Sequence, residues 1–365
     1  MRTSSMENFM FNVNFNDSSP QVLCHPDYQN LIPKIVEKLL PYDLKDHFIL
    51  FSSGTTGGSL KGYALSKKAL FKNAHAVNNF FNLNQADIWA LSLPIYHVGG
   101  LSVLARAYLN KNKVIDARKW NPLTWTKTIE EVTITSIVPT QLYDLVKNSI
   151  PAPTKLRYLI VGGDFLSSSL KEKALNLGWP VIRTFGMSEV CSQLASSNSP
   201  TSDEMEILPI HEAKTIDGRL LVKSESLFTL EFMMGEYFIV KFANELATKD
   251  GFYLTKDRAE IKNNFITPLG RLGEEFKISG HLVNINEIKE ALHNFLLENG
   301  LFNKMDFLIE GNERQGNKLI LLTVPESNDE GIIKDIKNLI RPAKIDEVRV
   351  VPNIQRNDLG KLKRL

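Results

Sequence analysis

The chain has 365 residues, 43% of them hydrophobic and 23% charged, and a net charge of +2 at neutral pH. That length allows two or three domains with a sizeable core, and the composition is that of an ordinary soluble globular protein. Near-neutrality gives no reason to expect nucleic acid or a membrane surface as a partner, and Cys24 and Cys191 are too few for a disulfide framework.

A reducing, cytoplasmic setting is the expectation from that cysteine usage. The first 19 residues carry no apolar stretch of signal-peptide length, and no uncharged apolar run approaches a membrane span. The histidines are scattered without zinc-type spacing.

In chain order, residues 9–15 read as a short strand and 29–40 as an amphipathic helix. Residues 46–52 form a strand that runs into a glycine-rich loop. Residues 66–82 have helical spacing, with Ser66 as N-cap. Strands at 88–94, 113–116, 135–138, 158–161 and 181–184 then alternate with helices at 100–109, 122–132, 139–148 and 166–177. Such β–α alternation with short connections predicts a doubly wound, largely parallel sheet, with ligands at the carboxyl ends of its strands. After about Ser196 the pattern changes to hairpin-like strands at 213–222, 228–232 and 237–242, a smaller β-rich, more antiparallel subdomain. From Arg271 the order reads β–helix–β–β–helix–β, with helices at 286–299 and 329–339. The expected division is therefore a large domain over 1–270 and a small α+β domain over 271–365.

Two segments carry the chemistry. Ser52-Ser53-Gly54-Thr55-Thr56-Gly57-Gly58-Ser59-Leu60-Lys61-Gly62 follows an apolar strand. Glycines let backbone N–H groups approach closely, hydroxyls add donors and Lys61 adds charge, which suits a phosphate cradle. Lys61 precedes Gly62 rather than Ser or Thr, so this is no Walker A loop, and GxGxxG is absent here; a Ser/Thr/Gly-rich linker has the same composition. The second segment, Arg183-Thr184-Phe185-Gly186-Met187-Ser188-Glu189, presents a ring, a glycine, a hydroxyl and a carboxylate at a strand end. The ring suits stacking on a base and the carboxylate suits Mg²⁺, though Met-Ser-Glu also fits a helix cap.

Together these segments resemble the acyl-adenylate-forming superfamily of acyl-CoA synthetases, peptide-synthetase adenylation domains and luciferases. Further matches follow in the family's order: Leu91-Ser92-Leu93-Pro94-Ile95-Tyr96-His97, Val161-Gly162-Gly163, Gly251 to Asp257, Gly270-Arg271 with Lys277 to Gly280 and Glu287-Ile288, and Arg356 to Lys361. Three segments, 97–106, 135–142 and 186–193, most resemble the o-succinylbenzoate–CoA ligase branch.

The resemblance implies a shared set of roles. Ser53, Gly54, Thr55, Thr56, Gly57 and Lys61 would hold the ATP phosphates. Gly163, Phe185, Gly186 and Ser188 would line the nucleotide site, Ser188 at the α-phosphate, and Glu189 would bind Mg²⁺. Asp257 would accept from the ribose hydroxyls, with Arg271 nearby. His97 would line the acyl-carboxylate site, joined by Ser192 and by Arg106, which would pair with the second carboxylate of a dicarboxylate acid; on spacing alone a surface arginine fits Arg106 equally. Lys361 would be the catalytic lysine, bridging the substrate carboxylate and the α-phosphate. The implied reaction makes an acyl-adenylate from ATP and a small carboxylic acid and passes the acyl group to CoA. A mobile small domain would serve the two steps in two orientations about a hinge near residue 273. Self-association into a homo-oligomer is compatible with the chain.

The sequence departs from the family pattern in places. The phosphate loop carries one extra residue, Lys256 replaces a glycine before Asp257, Gly273 replaces a polar hinge residue, and Gln355 replaces a proline. The region ahead of the phosphate loop is also much shorter than is usual. An adenylating enzyme for another aryl or acyl acid, and a nucleotide-binding relative without catalysis, are the alternatives.

Overall fold

The computed structural model describes residues 11–51, 60–272, 276–278, 281–283, 285–310, 318–341, 343–358 and 360–362. Ser53, Gly54, Thr55, Thr56 and Gly57 of the proposed cradle, and Gly273 of the expected hinge, lie outside them.

The alternating strands form the parallel half of an eleven-stranded mixed sheet. Val114, Ile134, Ile137, Ile160, Val161 and Ile182 line these strands, and such apolar, β-branched side chains suit a sheet covered on both faces. In space Lys113–Asp116 is the edge strand, followed by Ile88–Leu91, Ile134–Ile137, Tyr158–Val161 and Val181–Met187. Helices connect them along the chain, their first turns capped by Asn121 on the Thr124 amide (3.1 Å) and Ser167 on the Leu170 amide (3.3 Å). The chain leaves Ile88–Leu91 toward the sheet edge, then returns to place Ile134–Ile137 on the other side. That reversal is a topological switch point, where the carboxyl ends of two adjacent strands lead apart and leave a crevice.

The last parallel strand runs further than expected, to Met187, because it finds an antiparallel partner in Ser192–Ser196. The hairpin-rich stretch is antiparallel as expected, but it divides between two sheets. His211–Ile216, Arg219–Ser224, Tyr253–Lys262 and Phe265–Arg271 extend the large sheet. Asp217 and Gly218, both with positive φ, break the expected 213–222 strand into a hairpin. Leu230–Met234 and Phe238–Phe242 instead join Gln21–Leu23, His47–Phe51 and Leu60–Ser66 in a five-stranded sheet. Residues 11–15 are not a strand, and it is Gln21–Leu23 that pairs with His47–Phe51; Phe11, Val13 and Phe15 pack into the core as irregular chain.

The terminal part follows the expected order after a short hairpin. Helix Ile285–Glu298 is followed by strands Met305–Glu310 and Lys318–Thr323, helix Glu330–Leu339 and strand Glu347–Val350. It rests on the large body through stacked Tyr143 and Phe302 rings at 4.3 Å, and Glu290 accepts from the Ser168 amide at 2.8 Å. No helix among the described residues is long and apolar enough to cross a membrane.

Gly62 lies where three strands meet, opposite Phe51 on one side and Phe232 on the other. A Cβ there would stand 2.2 Å from the Phe232 ring and 2.9 Å from the Leu50 carbonyl. Phe232 is buried and cannot swing away. Gly62→Ala is therefore expected to cost on the order of 1–3 kcal/mol of stability through overpacking, read as a lower urea midpoint at unchanged slope.

Candidate active site

The crevice at the switch point gathers residues from far apart in the chain. His97 ends the segment after Ile88–Leu91 and stands as N-cap of helix Val98–Asn110. Thr140 opens the helix that follows Ile134–Ile137. Gly163 follows Tyr158–Val161 with φ +89°, a left-handed conformation that disfavours a side chain. Phe185 and Gly186 lie near the end of Val181–Met187. Gly186 is crossed so closely by the returning chain that a Cβ would sit 2.0 Å from the Ser192 carbonyl oxygen.

Ser188 and Glu189 occupy a single 3-10 turn, not a longer helix. The Tyr63 hydroxyl donates to Glu189 Oε1 at 2.6 Å and so orients the carboxylate. No group of three or more His, Cys, Asp or Glu among the described residues could hold a metal. One oriented carboxylate nevertheless fits Mg²⁺, which keeps water and phosphate oxygens among its ligands.

Lys61 lies on strand Leu60–Ser66, beyond the loop rather than in it. Its Nζ reaches Glu231 Oε2 at 2.5 Å and stands 4.7 Å from the Tyr63 ring centroid. Lys61 and Tyr63 are two apart on one strand and share a face, and Glu231 is opposite Tyr63 on the next.

Asp257 faces Arg271 across the antiparallel ladder, with Arg271 Nε 3.4 Å from Oδ1. Burial pushes the Asp257 carboxyl above its ordinary range, while Arg271 draws it back. Lys361 sits half-buried in the same field. Desolvation and then Arg271 lower its ammonium, against Asp164, Asp257 and Glu189. A lysine four residues from the end of the chain is thus brought to the carboxylates of the crevice.

Arg106 is 1% exposed and makes no ion pair among the described residues. Its Nη2 donates to Ser192 Oγ at 3.1 Å, and that hydroxyl donates to Ser102 Oγ at 3.1 Å. Nε has no partner, and the guanidinium lies 5.6 Å from the Trp89 ring. Burial lowers its pKa to about 9, which still leaves a buried cation without a counter-charge at neutral pH.

The structure therefore brings together Lys361, His97, Glu189, Ser188, Asp257 and Arg271 around one crevice, and puts Arg106 and Ser192 in one buried cluster. It also adds residues that sequence reasoning missed. Tyr63, Glu231 and Asp164 carry no motif of their own. Tyr63 becomes legible only once Leu60–Ser66 is seen as a strand, and Asp164 only as the residue after Gly162-Gly163.

Burial of the His97 imidazole, with Lys361 adding and Asp358 opposing, lowers its pKa to about 4. The unfolded chain takes up this proton near pH 6.5 and the folded one near 4. Stability from His97 is therefore complete above pH 6.5 and lost as pH falls toward 4. An NMR titration is expected to show a neutral His97 ring down to about pH 5.

The family model of the AMP-binding enzyme matches residues 30–218. The chain is 31% identical over 227 residues to the 2-succinylbenzoate–CoA ligase of Staphylococcus epidermidis, covering 58% of this chain and 46% of that protein. With the Escherichia coli enzyme of the same name it shares 26% identity over 242 residues, 66% of this chain and 51% of that one. The chain thus spans about half the length of these curated relatives. Among solved structures, o-succinylbenzoate coenzyme A synthetase from Bacillus subtilis, in complex with ATP and magnesium, superposes with a TM-score of 0.71 at 23% identity, covering 86% of this chain and 68% of that one. ATP-bound MatB from Rhodopseudomonas palustris gives 0.73 at 20%, covering 94% and 77%. At those identities the structures speak for the fold. The family model, which covers more than half of the chain, shows the kinship: this chain belongs to the AMP-binding enzyme family.

Proposed function

We propose that the protein is an ATP-dependent, AMP-forming acid–thiol ligase that adenylates o-succinylbenzoate and transfers the acyl group to CoA, a step of menaquinone synthesis. One observation carries the reading: the residues just before Lys361 are seated at the switch point, Asp358 accepting at 2.7 Å from Tyr96 beside His97 and Gly360 packed on Thr140. Asp257 and Glu189 act electrostatically on Lys361 although the sequence separates them widely. Residues 1–270 are proposed as the large domain and 271–365 as the small one.

The chemistry follows from leaving groups. A free carboxylate is a poor acyl donor, because its leaving group would be oxide. When its oxygen attacks the ATP α-phosphorus, the bond to the bridging oxygen breaks and pyrophosphate departs, so that AMP becomes the later leaving group. Charge gathers on the α-phosphate oxygens in that step, and a positioned ammonium at Lys361 stabilises it. Glu189 would hold Mg²⁺, which neutralises phosphate charge when bound, and Tyr63 keeps that carboxylate aimed. Asp257 would accept from the ribose hydroxyls. Neutral His97 would contact the reacting carboxylate without the cost of burying a second cation beside Lys361. The CoA thiol loses its proton to solvent, and its thiolate sulfur attacks the activated carbonyl carbon. The carbon–oxygen bond to AMP then breaks and AMP leaves.

The acid is argued from Arg106. A buried guanidinium with an unpartnered Nε and no internal carboxylate is costly to keep. The second carboxylate of o-succinylbenzoate supplies the missing charge, and relatives named for that acid support the choice. One observation favours a nucleotide-binding protein without catalysis instead: Lys61 is already closed on Glu231.

Pyrophosphate release with o-succinylbenzoate, benzoates and fatty acids tests the reading. Release is expected with o-succinylbenzoate; release only with another acid would exclude this substrate, and ATP binding without any release would favour the non-catalytic protein. Lys361→Ala is expected to slow adenylation roughly 100-fold or more, with thioester formation from supplied acyl-adenylate largely spared. Arg106→Met is expected to raise KM for the dicarboxylate roughly 30-fold or more while leaving the folded state at least as stable, because the uncompensated buried charge is gone. Parallel kinetics and thermal melts check both halves of that statement.

A further inference from the structure

Residues 356–358 and 360–362 are tied closely to one another. Arg356 and Leu362 pair as an isolated bridge. Asn357 Oδ1 accepts from the Lys361 amide at 3.0 Å, and the Asn357 amide donates to the Lys361 carbonyl at 2.9 Å. Arg356 Nη1 donates to the Gly360 carbonyl at 3.1 Å, while Nη2 donates to the buried Asp306 at 2.7 Å. These bonds fix the Lys361 backbone to Asn357 and its neighbours to Arg356.

What ties this segment to the crevice is Asp358. The Tyr96 hydroxyl donates to Asp358 Oδ2 at 2.7 Å, and His25 Nε2 lies 3.3 Å from the same oxygen. The His25 and Tyr96 rings meet edge to face at 5.3 Å. The Asp27 amide donates to His25 Nδ1 at 3.2 Å and the Asp27 carboxylate lies 3.4 Å from it, while Nε2 is the ring nitrogen that faces Asp358. Tyr96 is the residue before His97, and Gly360 meets Thr140 so closely that a Cβ would be 2.3 Å from the Thr140 hydroxyl. Both contacts of the loop thus fall on the two strand ends that border the switch point.

We propose that Asp358 is a positioning residue: through Tyr96 and His25 it latches this segment onto the large body and holds Lys361 at the reacting groups. An O–H donor to an ionised carboxylate is the stronger member of the latch; the more exposed His25 contact is screened by water and adds less. Burial and the Asp358 carboxylate both raise the Tyr96 hydroxyl pKa, which keeps it a donor. The latch acts on the step that needs Lys361 and leaves free the step that does not. It rests on the ligase reading above for its kinetic consequence, but not for the contact itself.

The test compares Tyr96→Phe, Asp358→Ala, Asp358→Asn and the Tyr96→Phe/Asp358→Ala double variant in the full chain. The measurements are pyrophosphate release, thioester formation from supplied acyl-adenylate, and amide exchange of residues 356–362 without ligands. Tyr96→Phe and Asp358→Ala are each expected to lower kcat for adenylation about tenfold. KM for ATP and use of supplied adenylate should stay within about twofold, and exchange of the loop should quicken. Asp358→Asn should recover much of the rate, and the double variant should be no slower than the slower single one. Unchanged exchange would overturn the latch, as would equal losses in both half-reactions, which mark a merely structural residue. Quickened exchange in a protein whose wild type releases no pyrophosphate with any acid would sink the ligase reading and keep the latch.

Discussion

The reversal of strand order between Ile88–Leu91 and Ile134–Ile137 is the constraint on which the site depends. Parallel strands feed their helices in one direction only, so where the chain turns back the connections at the carboxyl ends must diverge. Side chains from the segments after these strands then face a gap that backbone cannot fill. Tyr96, His97 and Thr140 border it because they follow the two strands that diverge. The next strands in the order, ending at Val161 and Met187, bring Gly163, Gly186 and Glu189 along the same edge.

Electrostatics inside this frame is deliberately unfinished. Most buried charges elsewhere are paired: Asp87 with Arg157, Asp306 with Arg356 and Lys171 with Asp203. Around the crevice and the cluster beneath it the pattern differs. Arg106 has the Ser192 hydroxyl but no anion, whereas at the crevice Asp257 keeps Arg271 as its partner while burial raises its carboxyl, and desolvation lowers the Lys361 ammonium. Unpaired buried charge costs folding energy, and among the described residues Arg106 carries that cost.

The small terminal unit carries both a rigid piece and an adjustable attachment. Its loop is closed by internal hydrogen bonds and anchored by Arg356 on Asp306. Its link to the large body runs through a few polar contacts, and polar contacts of that kind can be exchanged for water at little net cost. The apolar part of the attachment, with Phe302 on Tyr143 and His293 on Phe165, lies away from the loop on the helices that flank the sheet. Position at the crevice is therefore set by hydrogen bonds, and adhesion by buried rings.

The sequence by itself determined the α/β alternation, the antiparallel character of the second half and the terminal α+β order. Those features are local: β-branched runs and caps such as Ser66 act within a few positions. It also determined the family, through ordered motifs. Strand Leu60–Ser66 was hidden, since Gly62 and Lys61 read as loop until Phe232 is seen to pack on the glycine. Arg106 was undecidable, because helix Val98–Asn110 is buried on every side from Gly100 to Ala107 and so shows no periodicity that separates inside from outside. Only the tertiary structure decided that Arg106 is sealed with Ser192, that Glu189 is aimed by Tyr63, and that Asp358 accepts from Tyr96. Each of these joins residues more than 80 positions apart, and contacts at that range are set by strand order and packing, which no local pattern encodes.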